Sequence, residues 1–235
     1  MLQKALDTRL QDVSRRRLLR NAAVAGGGLA ALGAPSVAFA QDATPEGDAS
    51  PVAEESPFEG PVDVLNYALT LELLENAFYR DGLATFTNAD IEALGFLPGV
   101  YDYLIEIGAH EAVHVETLTS VINDLGGEPV EEATYEFPYE DAAGFIEVAL
   151  ALEDTGVAAY TGAAQYLIEE DDLLTAALTI HGVEARHASY LALLNAGDPF
   201  PAAFNDPLTP EEVLEIATPF FATDGGDDAE ATPEG

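Results

Sequence analysis

His110-Glu111-Ala112-Val113-His114 holds the unit that decides the fold, because Glu111-x-x-His114 returns further along as Glu184-Ala185-Arg186-His187. At about 100° per residue, positions i and i+3 of an α-helix differ by about 60°, so each pair shares one face. Both pairs sit inside long stretches with apolar residues at helical spacing. One runs from Phe96 to Leu125 and stops at Gly126-Gly127; the other starts at Asp171-Asp172 and ends near Asn195-Ala196-Gly197.

Two further stretches read as helices. Val62 to Leu83 places Leu65, Leu69, Leu73 and Phe78 on an apolar face, with Asp81-Gly82 as its stop, and Asp141 to Ile168 forms the other. Thr209-Pro210-Glu211-Glu212 carries a capping pattern for a short fifth helix, Val213 to Ala217. The third and fourth long helices are joined tightly, so they form an antiparallel hairpin. The second and third are separated by GGEPVEEATYEFPYE, residues 126–140, whose two prolines prevent continuous helix. At roughly 3.3 Å per extended residue this connection reaches about 50 Å, enough to cross the length of a bundle. The expected fold is all-α.

The first and third helices supply a second repetition. Glu72 precedes Tyr79, and Glu153 precedes Tyr160, at the same spacing of almost two turns. Glu72 lies among Leu69, Leu71, Leu73 and Leu74, where a lone carboxylate costs several kcal/mol unless it is paired or bound to a cation. Four converging carboxylates repel one another, and two divalent cations neutralise them. Glu75 is the alternative to Glu72 on the first helix; the Tyr spacing favours Glu72.

On these residues the chain resembles the ferritin-like superfamily of di-iron and di-manganese carboxylate proteins, in which two helices each give a Glu and two others each give Glu-x-x-His. The resemblance covers about 61–195. It implies a four-helix bundle with one long crossover, holding two iron or manganese ions, with iron favoured. The implied ligands are Glu72, Glu111, His114, Glu153, Glu184 and His187, with Glu111 and Glu184 bridging and the two His terminal. It also implies chemistry with oxygen or peroxide, such as Fe(II) oxidation. Leu65-Asn66-Tyr67-Ala68-Leu69-Thr70-Leu71-Glu72 and Pro207-Leu208-Thr209-Pro210-Glu211-Glu212-Val213-Leu214 look like the exported branch that includes plant desiccation-related proteins. Few members of that branch have an assigned reaction, so a non-enzymatic protective or interaction role is the second expectation.

His110 to His114 also spells H-E-x-x-H, the zinc peptidase signature. The repeat has Val183 where His110 stands, so the shared unit is Glu-x-x-His. His110 is then expected behind the ligands or at the surface. His181, one turn before Glu184, is expected as a partly buried polar residue. Tyr79 and Tyr160 are expected to serve packing, and Arg186 to meet a carboxylate.

Composition narrows the partners. With hydrophobic residues at 48% the chain can bury a sizeable core, and with no Cys it can form neither disulfides nor thiolate metal sites. The net charge of −35 is distributed unevenly. Lys4, Arg9, Arg15, Arg16, Arg17 and Arg20 precede position 21; only Arg80 and Arg186 follow, whereas all acidic residues except Asp7 and Asp12 lie beyond position 40. Such a surface repels nucleic acid and anionic membranes. Its self-repulsion is tolerable at molar salt, where the Debye length is a few ångströms, which fits a salt-rich habitat.

The first forty residues read as an address. Ser14-Arg15-Arg16-Arg17-Leu18-Leu19-Arg20, an apolar Gly/Ala-rich run and Ala38-Phe39-Ala40 make a signal peptide, and the paired Arg resembles a twin-arginine (Tat) leader. The apolar run is too short for a membrane span, so none is expected once the leader is removed. The expected location is extracellular, periplasmic or at the cell surface. Residues 41–60 read as an acidic flexible linker, 61–221 as the folded domain and 222–235 as a disordered acidic tail. Homo-oligomerisation stays open.

Overall fold

A computed structural model describes residues 56–222. The signal peptide, residues 41–55 of the linker and residues 223–235 of the tail lie outside the described residues. The described residues form six α-helices: α1 (Pro61–Thr85), α2 (Asn88–Ala93), α3 (Val100–Asp124), α4 (Ala142–Ala163), α5 (Asp171–Leu194) and α6 (Pro210–Ala217). None of them is long and apolar enough to cross a membrane.

The four long helices are the four expected, with shifted ends. Helix α1 starts with Pro61 at its first turn, where a missing N–H costs nothing. It runs through Asp81-Gly82 instead of stopping there. Gly82 is needed for close approach: a Cβ on it would overlap the ring of Phe145 from α4. We expect Gly82→Ala to lower stability by about 1–3 kcal/mol through overpacking, although Ala is the better helix former. A denaturant midpoint at constant slope measures it; an unchanged midpoint would mean the ring moves aside freely.

Helix α2 is absent from the sequence expectation, although Thr87 and Asp90 form a capping box around its start. Helix α3 begins at Val100, four residues after Phe96, because Gly99 adopts a left-handed φ of 98° just before it. It ends in a turn in which Gly126 has φ 76° and the Gly127 N–H donates to Ile122 O at 2.9 Å. Helix α4 is capped by Asp141, whose side chain accepts from the Gly144 N–H at 2.8 Å. It tightens into a 3-10 turn, Ala164–Leu167, before the short connection to α5. Helix α6 has the expected capping box, Thr209 with Glu212.

Helices α1 and α3 pack as one hairpin, α4 and α5 as the other, and α1 also meets α4. The crossover runs along α1 from start to finish. At its beginning Gly127 lies so close to Val62 that a Cβ would stand 2.6 Å from Val62 Cγ1. Asn66 then pins it, donating to Glu128 O at 3.0 Å and accepting from the Val130 N–H at 2.9 Å. At its end Tyr139 meets Phe86 with ring centroids 5.4 Å apart. In between, Phe137 and Tyr139 set their edges against Phe78. This second layer explains why α1 is buried nearly all round, with Leu69, Leu73, Leu74, Ala77 and Phe78 all in the core.

Both ends of the expected linker and tail are tied to the bundle where described. Phe58 packs its ring against Tyr67 and Tyr166 at 5.5 and 5.1 Å. Phe221 pairs with Tyr135 in an isolated antiparallel bridge, and the Ala222 N–H donates to Thr134 O at 2.9 Å.

Candidate metal centre

Glu72 comes from α1, Glu111 and His114 from α3, Glu153 from α4, and Glu184 and His187 from α5. The structure brings all six together inside the bundle. The four carboxylates are fully buried, and His114 and His187 are 7% and 5% exposed. His114 Nδ1 lies 3.1 Å from Glu72 Oε2, 3.1 Å from Glu111 Oε2 and 3.2 Å from Glu184 Oε1. His187 Nδ1 lies 3.1 Å from Glu111 Oε1 and 3.2 Å from Glu153 Oε2. Two overlapping groups of four could each hold a metal ion: Glu72, Glu111, His114 and Glu184, and Glu111, Glu153, Glu184 and His187. In each group the donor atoms lie within 4.8 Å of one another. Glu111 and Glu184 belong to both.

The tyrosines do more than pack. Tyr79 donates to Glu153 Oε1 and Tyr160 donates to Glu72 Oε1, each at 2.6 Å. The pairing is crossed: each Tyr serves the Glu of the other hairpin. The equal spacing from Glu to Tyr was the visible signal, but the partner lies across the bundle axis.

Glu75 is also buried, at 3% exposure. Of the two, Glu72 falls in a four-residue group and Glu75 does not. Its carboxylate faces bare backbone on α4, where a Cβ at Gly156 would stand 3.0 Å from Glu75 Oε1 and 3.5 Å from Glu184 Oε2. It is a fifth carboxylate beside the cluster. His110 belongs to neither group of four; its Nδ1 is 3.0 Å from Nε2 of His187. His181 bonds to Thr161 Oγ1 at 3.0 Å, away from the cluster. Arg186 is exposed and makes no ion pair among the described residues, contrary to expectation, whereas Arg80 pairs with Asp81 and Glu132.

The electrostatics show how hard this cluster is to maintain without added positive charge. Burial raises Glu72 to about 8, only partly offset by its bond to His114. Burial likewise raises Glu184 to about 8 and Glu153 above its usual value. Burial and the neighbouring Glu184 push Glu75 well above the carboxylate range. Glu111 is the exception: burial pushes it up, but the bond from His114 and the close imidazole of His187 outweigh burial and hold it at about 2. The two imidazoles pay the converse role. Burial lowers them, yet their carboxylate partners lift His114 to about 12 and His187 to about 10. Two imidazolium charges therefore face five buried carboxyl groups.

Even so, Glu111 Oε1 and both carboxylate oxygens of Glu184 have no hydrogen-bond partner among the described residues. The His contacts of Glu111 Oε1 and Glu184 Oε1 are close in distance but lack hydrogen-bond geometry. Orphaned buried oxygens on the two residues common to both groups are what a pair of cations would satisfy, so the donor set fits a dinuclear metal centre.

Two hollows adjoin the cluster. A recess of about 240 Å³ between α3 and α5 opens to the surface past Tyr103, Glu106 and Arg186 and reaches His110 and His187. On the other side, an apolar cavity of about 40 Å³ is bounded by Leu118 and Ile180, one turn from His114 and Glu184, and by Tyr160.

Comparison with known proteins agrees with this geometry. Residues 60–196 match the family described as ferritin-like domain. The chain is also similar to Protein rds1 of Schizosaccharomyces pombe (strain 972 / ATCC 24843), at 26% identity over 160 residues, covering 67% of this chain. It spans only 38% of that protein's length. With a match that takes in all four long helices and all six converging side chains, the chain belongs to the ferritin-like domain family.

Proposed function

We propose that this protein is an exported metalloprotein with a dinuclear iron or manganese centre that oxidises Fe(II) or consumes oxygen or peroxide. The observation that carries the proposal is the pair of overlapping four-residue groups sharing Glu111 and Glu184. Mixed carboxylate and imidazole donors suit iron or manganese, and iron is favoured. Glu72, Glu111, His114, Glu153, Glu184 and His187 would hold the ions, and the ions would supply redox chemistry.

The chain's own residues do the rest. Tyr79 and Tyr160 fix the outer oxygens of Glu153 and Glu72, leaving the inner oxygens toward the cluster. The apolar cavity favours a small apolar reactant such as dioxygen over water. The twin-arginine-like leader fits export of a protein that folds, and takes up its ions, before transport.

Elemental analysis of the full chain, purified in high salt without chelators, tests the proposal. The expected content is two iron or manganese ions per chain, with oxidation of added Fe(II) on exposure to oxygen or peroxide. One zinc per chain would return the peptidase reading of His110 to His114. No metal after anaerobic reconstitution with Fe(II) would overturn the proposal in favour of a protective scaffold.

A further inference from the structure

The two halves of the cluster repeat each other, and the repeat breaks immediately before the shared Glu. Helix α3 has His110 there, and α5 has Val183. The consequence falls on His187. Its Nδ1 faces Glu111 and Glu153, while its Nε2 lies 3.0 Å from His110 Nδ1. The two rings are nearly parallel, at 9°, with centroids 5.2 Å apart. His187 is therefore gripped at both nitrogens. His114 is gripped only through Nδ1: no hydrogen bond reaches its Nε2 among the described residues.

We infer that His110 is a positioning residue that makes the two metal positions unequal, giving the His187 position the tighter grip. This rests on the metal-binding reading above.

The protons allow only one arrangement. For Nδ1 of His187 to offer a lone pair to a cation, its proton must sit on Nε2. That N–H then donates to Nδ1 of His110, whose own proton sits on its outer nitrogen. When His187 carries both protons the same bond exists, so the ring is oriented before a metal arrives. Outer partners of this kind raise ligand basicity, and their loss typically weakens metal binding about 10–100-fold. Among the described residues His114 has no such partner, and its position depends on the carboxylates.

The test is anaerobic Co(II) titration of the metal-free full chain, followed by visible absorption. The expected wild-type curve has two steps separated by about tenfold or more. His110→Val, which copies Val183, should weaken the tighter step by about 10–100-fold and bring the two together. His110→Gln offers an amide oxygen to the same N–H and should restore much of the separation, which a residue serving packing alone would not show. In the metal-free protein, the slowly exchanging Nε2 proton of His187, visible by NMR, should disappear in His110→Val and persist in His110→Gln. Two equal steps in the wild type, or a His110→Val curve identical to it, would overturn the inference while leaving the dinuclear reading intact. A wild type that binds neither Co(II) nor Fe(II) would overturn both.

Discussion

Glu184→Ala is expected to leave the protein with neither metal ion, whereas Glu72→Ala or Glu153→Ala should each leave about one. Glu184 lies in both four-residue groups; Glu72 and Glu153 lie in one each. Removing Glu184 takes a charged donor from both positions and unbalances both at once. Since losing an outer partner costs about 10–100-fold in affinity, losing a shared ligand should cost at least that at each position. Elemental analysis of the three variants, prepared side by side in high salt, distinguishes the outcomes. Far-ultraviolet circular dichroism guards against unfolding as the cause. The carboxyl of Glu184 has no hydrogen-bond partner among the described residues, so its removal relieves a desolvated polar group as well as opening a void. If Glu184→Ala kept one ion, the carboxylate would serve a single position and the bridging assignment would fail.

The part of this centre that can be read in one dimension is the part fixed within a single helix. Glu111 with His114, and Glu184 with His187, must share a face whatever surrounds them, because the helix alone sets their angle. The crossover was legible for a similar reason: its length and two prolines bound its path. What needs a second helix was not legible. The hydroxyl of Tyr79 reaches Glu153 rather than the Glu of its own helix, a choice made by the packing of α1 against α4. Glu72 and Glu75 share a face too, and both are buried, the latter only because Gly156 of α4 presents bare backbone to it. Gly82 looked like a stop because glycine favours helix ends. It is instead the space occupied by the Phe145 ring, which local sequence does not record. Arg186 had many carboxylates to choose from, and among the described residues it pairs with none.

Stripped of metal, the protein should lose stability as pH rises from 5 to 8, with a fall of at least about 10 °C in unfolding temperature. In the fold, Glu72 and Glu184 are raised to about 8 from the ordinary 4.5, and Glu153 and Glu75 are also raised. The folded state thus holds protons that the unfolded chain has already released. Their stabilising effect is complete below pH 4.5 and is lost as pH climbs through the raised values. His114 and His187, lifted to about 12 and 10, continue the trend above pH 6.5. Glu111, held at about 2, works in the opposite sense, but its contribution is lost only as pH falls below the ordinary carboxylate range. His110 and His181, lowered by burial, work in the opposite sense, but their gain is complete once pH reaches 6.5, and both are partly solvated. One excess proton held by the fold costs about 1.4 kcal/mol per pH unit. For a domain of this size 1 kcal/mol moves the midpoint by about 2–4 °C, so a single excess proton held across this range already gives about 10 °C, and the further protons on the other raised groups deepen the fall. Molar salt and a starting point of pH 5 keep the repulsion among surface carboxylates nearly constant. Metal reverses the sign, since cations replace those protons and bind better as the ligands ionise. The difference in unfolding temperature between metal-loaded and metal-free protein should therefore widen toward pH 8. A metal-free midpoint that stays flat or rises over that range would show that the buried carboxylates are ionised in the fold, and that the cluster does not depend on cations for its charge balance.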